Sequence, residues 1–230
     1  MKDQEGRLAY VAFVLVVSFF GLVISATLLG NAPPPSAASG GRRILVAFLY
    51  DSICITGMLA ALFPVACSGV LGIRRSPEDL GNLETRATKV LGVLFLHGHH
   101  PLDSEVMVHE LRVGGKSFCA SCFGLSAGAV LSFTGVTVFA LSGWPGWMDI
   151  RLAYILYSVG VVGVTLGLVQ ALVLSSGARI RFVLAAVFVF GTSLMLISTD
   201  ILTANLMVDL FVVLLAVFCL LSRISLSHRN

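Results

Sequence analysis

Charge is what this sequence has least of. Asp, Glu, Lys and Arg make up only 12% of its 230 residues, against roughly 25% in soluble globular chains. With 57% hydrophobic residues and a mean hydropathy of +0.96, a soluble domain is excluded. The apolar stretches also lack the in-and-out alternation of barrel strands, so helices are the only plausible membrane spans. No internal repeat is visible, which leaves an inverted-repeat transporter without support. The net charge is only +3 and no basic patch is visible, so nucleic acid is not an expected partner. The lipid bilayer is, while protein partners and oligomeric state cannot be read from the residues.

What is present is a set of long apolar runs. A helix needs about 20 such residues to cross a hydrocarbon core about 30 Å thick. Six candidates run approximately over 8–30, 44–72, 123–141, 152–174, 180–198 and 206–222. The apolar run of the first is too long for the core of a cleaved secretory signal, so it is expected to remain as a span. The short stretch NAPPPSAASGG that follows it reads as a passive connector. Trp144, Pro145 and Trp147 read as an outer interfacial anchor.

Basic residues set the orientation. With the N-terminus in the cytoplasm, the inner segments hold Lys2, Arg7, Arg74, Arg75, Arg86, Lys89, Arg112, Lys116, Arg179, Arg181, Arg223 and Arg229, which is 12 of the 15. Only Arg42, Arg43 and Arg151 stay outside. By the positive-inside rule both termini and the long loop over 73–122 are cytoplasmic, in a cell membrane.

Four of the five histidines and two of the five cysteines fall in that loop, within HGHHPLDSEVMVHELRVGGKSFCASCFG. Upstream, Ser76, Pro77, Glu78 and Asp79 look like a helix start, and a short amphipathic helix is expected to end in the apolar patch VLGVLFL. Farther on, VMVHELRVGGKSF suggests a hairpin with Gly114 and Gly115 at its turn. It returns the chain to Cys119 at the mouth of the third span.

Zinc takes four nitrogen or sulfur ligands in a tetrahedron, and a Cys-x-x-Cys knuckle supplies two of them from one tight turn. Cys119 and Cys122 form such a knuckle. The expected second pair is His99 and His100, with His97 or His109 as substitutes, and zinc or, second, iron as the metal. The competing chemistry is thiol–disulfide exchange, for which the same motif is a signature. The counted charges put the pair on the reducing face, which weighs against a disulfide-forming enzyme.

The stretch Gly98-His99-His100-Pro101, followed by Phe118-Cys119-Ala120-Ser121-Cys122-Phe123-Gly124 opening a span, resembles a family of small prokaryotic membrane proteins classed as a domain of unknown function. Its core is a Cys-His pair and, some twenty residues on, Cys-x-Arg-Cys-x-Gly. Cys119, Cys122, Gly124 and one histidine match. Ser121 stands in the arginine position, and Gly98 or His99 in that of the first cysteine. The resemblance implies no established activity.

Three acids interrupt the apolar pattern. Asp51 and Asp209 lie within spans, where a charge costs roughly 2.5 to 3.5 kcal/mol on insertion scales. They are expected to share an outward-opening polar cavity with Tyr50, Ser52, Thr203 or Asn205 as partners, a candidate ion or proton site. Asp200 reads as a turn residue between the last two spans. Gly124-Leu125-Ser126-Ala127-Gly128 matches the Gly-x-Ser-x-Gly of serine hydrolases only superficially, because no strand-to-helix elbow or histidine base accompanies it. Gly124, Gly128 and Ser132, with Gly163 and Gly167, instead suit close contact between the third and fourth spans. Cys54, Cys67 and Cys219 read as packing residues.

The expected protein is therefore an all-α integral membrane protein, one polytopic domain over 1–230. It is a six-helix bundle with a metal-stapled cytoplasmic loop between helices 2 and 3. Its leading function is metal binding, structural or cation-handling. The alternatives are a thiol–disulfide oxidoreductase using Cys119 and Cys122, and an ion- or proton-coupled transporter using Asp51 and Asp209.

Overall fold

The computed structural model describes residues 2–31, 40–62, 87–90, 93–96, 110–113, 116–146, 149–172 and 177–229. They form six helices: α1 Lys2–Gly30, α2 Gly40–Leu62, α3 Ala120–Ser142, α4 Ile150–Leu172, α5 Ala178–Thr203 and α6 Leu206–Arg229. Five of these, all but α2, are long and apolar enough to cross a membrane. The 23 residues of α3, at about 1.5 Å rise each, cover the roughly 30 Å of a hydrocarbon core. Phe19, Leu131, Val162 and Leu214 point outward, as a lipid-facing surface requires. The chain is a multi-pass membrane protein.

Side-chain contacts give the direction of each helix. Cys219 on α6 approaches Ser18 and Leu215 lies against Gly21, so α6 runs against α1, which Tyr157 of α4 also joins by donating to Ser25. Gly160 of α4 lies against Met195 and Gly167 against Phe188, so α4 runs against α5. Arg43 stacks over Phe139 and Thr137 bonds Asp51, so α2 runs against α3. Gly124 lies against Phe182 and Gly128 against Ala186, so α3 and α5 run together. One end of the bundle therefore gathers the start of α3, the end of α4, the start of α5 and the end of α6. The other gathers the start of α2, the end of α3, the end of α5 and the start of α6.

Helix α5 is the hub, and α3 and α4 both pack along it. Gly124 and Gly128 of α3 face it from one side, and Gly160, Gly163 and Gly167 of α4 from another. The small-residue stripes thus do not join the third and fourth spans to each other, as their spacing suggested. Each accepts the backbone of the fifth. Without a hydrophobic drive between helices in lipid, close backbone approach is what small residues contribute.

Helix α5 also runs farther than its apolar stretch, through Asp200 to Thr203. It closes at Ala204, whose left-handed backbone (φ 47°) lets its N–H reach the Asp200 carbonyl at 3.0 Å. The Asn205 side chain then accepts from the Met207 N–H at 2.9 Å, starting α6. The turn is Ala204 and Asn205, not Asp200.

Among the described residues between α2 and α3 in the chain are two antiparallel strand pairs. Strands β1 Ala87–Val90 and β2 Val93–Leu96 pair with Val90 opposite Val93. The segment expected to close an amphipathic helix thus forms paired strands, as its β-branched Thr88, Val90 and Val93 favour. Strands β3 Glu110–Val113 and β4 Lys116–Cys119 pair with Glu110 opposite Cys119. The Ser76 to Asp79 helix start lies outside the described residues.

Candidate functional site

At one end, the Cys-x-x-Cys pair sits on a corner between strand and helix. Cys119 is the last residue of β4 and the N-cap of α3, in extended backbone (φ −66°, ψ 117°). Cys122 lies in the first turn of α3 and is 8% exposed. The corner is held by rings on either side of the pair. Phe118 meets Phe123 at 5.2 Å, and Phe123 meets Phe182 of α5 at 5.4 Å. None of the four described cysteines, Cys54, Cys119, Cys122 and Cys219, is in a disulfide.

The surroundings are basic. Arg223 of α6, only 3% exposed, donates to the Gly167 carbonyl and, at 2.5 Å, to Gln170 Oε1 of α4, and stacks over Phe188 of α5. It is close enough to interact electrostatically with Cys122 and with Arg181, and Arg181 with Cys119. The first turn of α3 carries no acid. Charge counting treated both arginines as orientation markers, and nothing in their local sequence signals a place beside the thiols.

His97, His99, His100 and His109 lie outside the described residues. Among the described residues no three His, Cys, Asp or Glu side chains converge as a ligand group.

At the other end, four charges form a layer in which both acids are buried and both arginines half-buried. Arg42 forms an ion pair with Asp200 at 2.6 Å and bonds Asp209, and Arg43 Nε donates to Asp200 Oδ2 at 2.8 Å. Asp209 is 0% exposed. Two guanidinium and two carboxylate groups balance formally, which is the condition for burying them. The layer joins α2, α5 and α6, and the Arg43 contact with Phe139 brings in α3.

The two acids expected to share a cavity have separate partners. Asp209 is taken by Arg42, whereas Asp51 Oδ2 accepts from Thr137 at 2.8 Å. Asp51 lies nine residues along α2 from Arg42, roughly 13 Å at 1.5 Å per residue. Of the partners expected for the acids, Tyr50 bonds Thr192 at 2.6 Å, while Ser52 and Thr203 bond carbonyls of their own helices. The cations that hold Asp200 and Asp209 are Arg42 and Arg43, which lie in the first turn of α2 and not in a connecting loop.

No family model matches the chain, and no curated protein or solved structure does either. Function must be argued from these two ends.

Proposed function

We propose that the protein is a six-span membrane protein with cytoplasmic termini whose inner face binds zinc. Cys119 and Cys122 supply two ligands, and two of His97, His99, His100 and His109 supply the others. The observation that carries this reading is the corner that holds both cysteines, one closing β4 and the other in the first turn of α3. Two thiols fixed by one tight turn fit the requirement of a tetrahedral site. The strand register supports the same reading, because Glu110 lies opposite Cys119 and is the residue next to His109 in the chain. That register favours His109 over the pair expected from spacing. The antiparallel packing of α2 on α3 supports α2 as the sixth span, and the basic residues support the orientation. Bound zinc would order a loop that has little apolar core of its own, contributing on the order of 10 kcal/mol.

Purified protein should carry one zinc, or iron, per chain by elemental analysis, and the C119S/C122S double variant none. Unchanged metal in that variant would refute the site. His109→Ala should lower occupancy more than His99→Ala with His100→Ala. In intact cells a membrane-impermeant thiol reagent should leave Cys119 and Cys122 unmodified until the membrane is opened, and ready labelling from outside would invert the topology.

Arg181 and Arg223 favour a second reading. Cys119 lies within electrostatic reach of Arg181 and Cys122 within that of Arg223, and positive charge beside a thiol favours the thiolate, its nucleophilic form. Such a pair can hand two electrons to a partner's disulfide, whose sulfurs leave as thiolates and take their protons from water while Cys119 and Cys122 join. Metal-free protein with a reversible Cys119–Cys122 disulfide would establish this reading in place of the first.

A further inference from the structure

Asp51 is the carboxylate that the ion-pair layer leaves over. It lies on the face of α2 that meets α3, and Thr137, its donor, is five residues before the end of α3 at Ser142. At 1.5 Å per residue the carboxyl is roughly 8 to 13 Å inside the layer of Arg42, Asp200 and Asp209. Its second oxygen is buried and has no hydrogen-bond partner. Among the described residues no cation pairs with it, and the guanidinium two turns away on the same helix, Arg43, is held by Asp200. The titratable neighbours on α2 are Tyr50 and Cys54. The group that faces it from α3 is the Thr137 hydroxyl, and the hydroxyls of Ser132 on α3 and Thr192 on α5 lie about its neighbour Tyr50, all uncharged.

One oxygen of this half-buried carboxylate has lost its water without gaining a cation, which is the costly way to bury an acid and in lipid marks a functional group. Two ligands are small enough to meet it there, a metal ion and a proton. An ion stripped of water needs many oxygens, six to eight in the case of calcium, and this position gathers one carboxylate and a hydroxyl that is already donating to it. No third His, Cys, Asp or Glu joins the group among the described residues, which also fails the four ligands of zinc. We propose that Asp51 is a proton-binding carboxyl in the outer half of the bundle, separate from the thiol pair. The proposal rests on α2 being the sixth span.

Carbodiimides react with carboxylic acids that carry a proton, so two reagents test the site in the full-length protein in liposomes. The lipid-soluble dicyclohexylcarbodiimide should modify the peptide containing Asp51, more slowly as pH rises and at the same rate with or without sodium. The adduct should be lost in D51N, while Asp200 and Asp209, held by arginines, stay unmodified. A water-soluble carbodiimide with an amine nucleophile should leave Asp51 untouched. Modification by neither reagent would overturn the proton site and leave the sixth span standing. Modification by both would place α2 in water and overturn the two together. Protection by sodium at constant pH, or preferential reaction at Asp209, would also overturn the assignment.

Discussion

Arg42→Met should destabilise the folded protein by about 3 to 5 kcal/mol, the usual loss when one partner of a buried ion pair is removed. The loss should come chiefly from Asp209. Asp200 keeps Arg43 in the variant, but Asp209 is 0% exposed and Arg42 is its ion-pair partner. Its other oxygen is already buried without a hydrogen bond. The double variant R42M/D209L removes both charges and fills similar volume, and should recover most of the loss. Buried ion pairs are often no more stable than well-packed apolar replacements, whereas a stranded charge is always the expensive case. Denaturant titration of purified protein in detergent provides the measurement. Additive losses in R42M, D209L and the double variant would show that the two side chains do not act as a pair.

This layer also shows where reading the chain from its residues stopped. Apolar length revealed the five helices long and apolar enough to cross a membrane, because lipid leaves few alternatives to a helix of about 20 residues. The ends were misplaced wherever a helix begins or closes on charge. Arg42 and Arg43 looked like connector and Asp200 like a turn, since their pairing spans 157 to 167 positions and leaves no local signal. The thiol pair was legible as a motif, and the strand pair before it from its glycines. Arg223, which approaches Cys122 from the last helix, was not. Its position follows from α6 lying beside α4 at the end where α3 begins, a consequence of packing that no window of sequence contains. The glycine stripes fall between these cases. Their period marks a helix face made for close approach but does not name the helix that approaches.

That distinction makes the α3 glycines a sharp test of the packing. A Cβ added at Gly128 would stand 2.5 Å from the Ala186 carbonyl oxygen and 2.9 Å from its Cα. Both are backbone atoms of α5, which cannot turn aside as a side chain can. Gly128→Leu should therefore push α3 from the hub and cost about 3 kcal/mol, the upper part of the range for overpacked sites. Gly135 is seven residues farther along the same helix, and a Cβ there meets nothing within 4 Å. Gly135→Leu should leave stability unchanged or raise it slightly, because leucine is the better helix former by roughly 0.8 kcal/mol. Helix propensity favours leucine at both glycines, so a loss confined to Gly128 can come only from packing. Ala186→Gly leaves those α5 backbone atoms in place and should not rescue G128L. At Gly124 an added Cβ would also meet the Ala185 Cβ at 2.8 Å, so with α5 as the partner Ala185→Gly should recover part of the loss in G124A, though not all, since the Phe182 carbonyl remains.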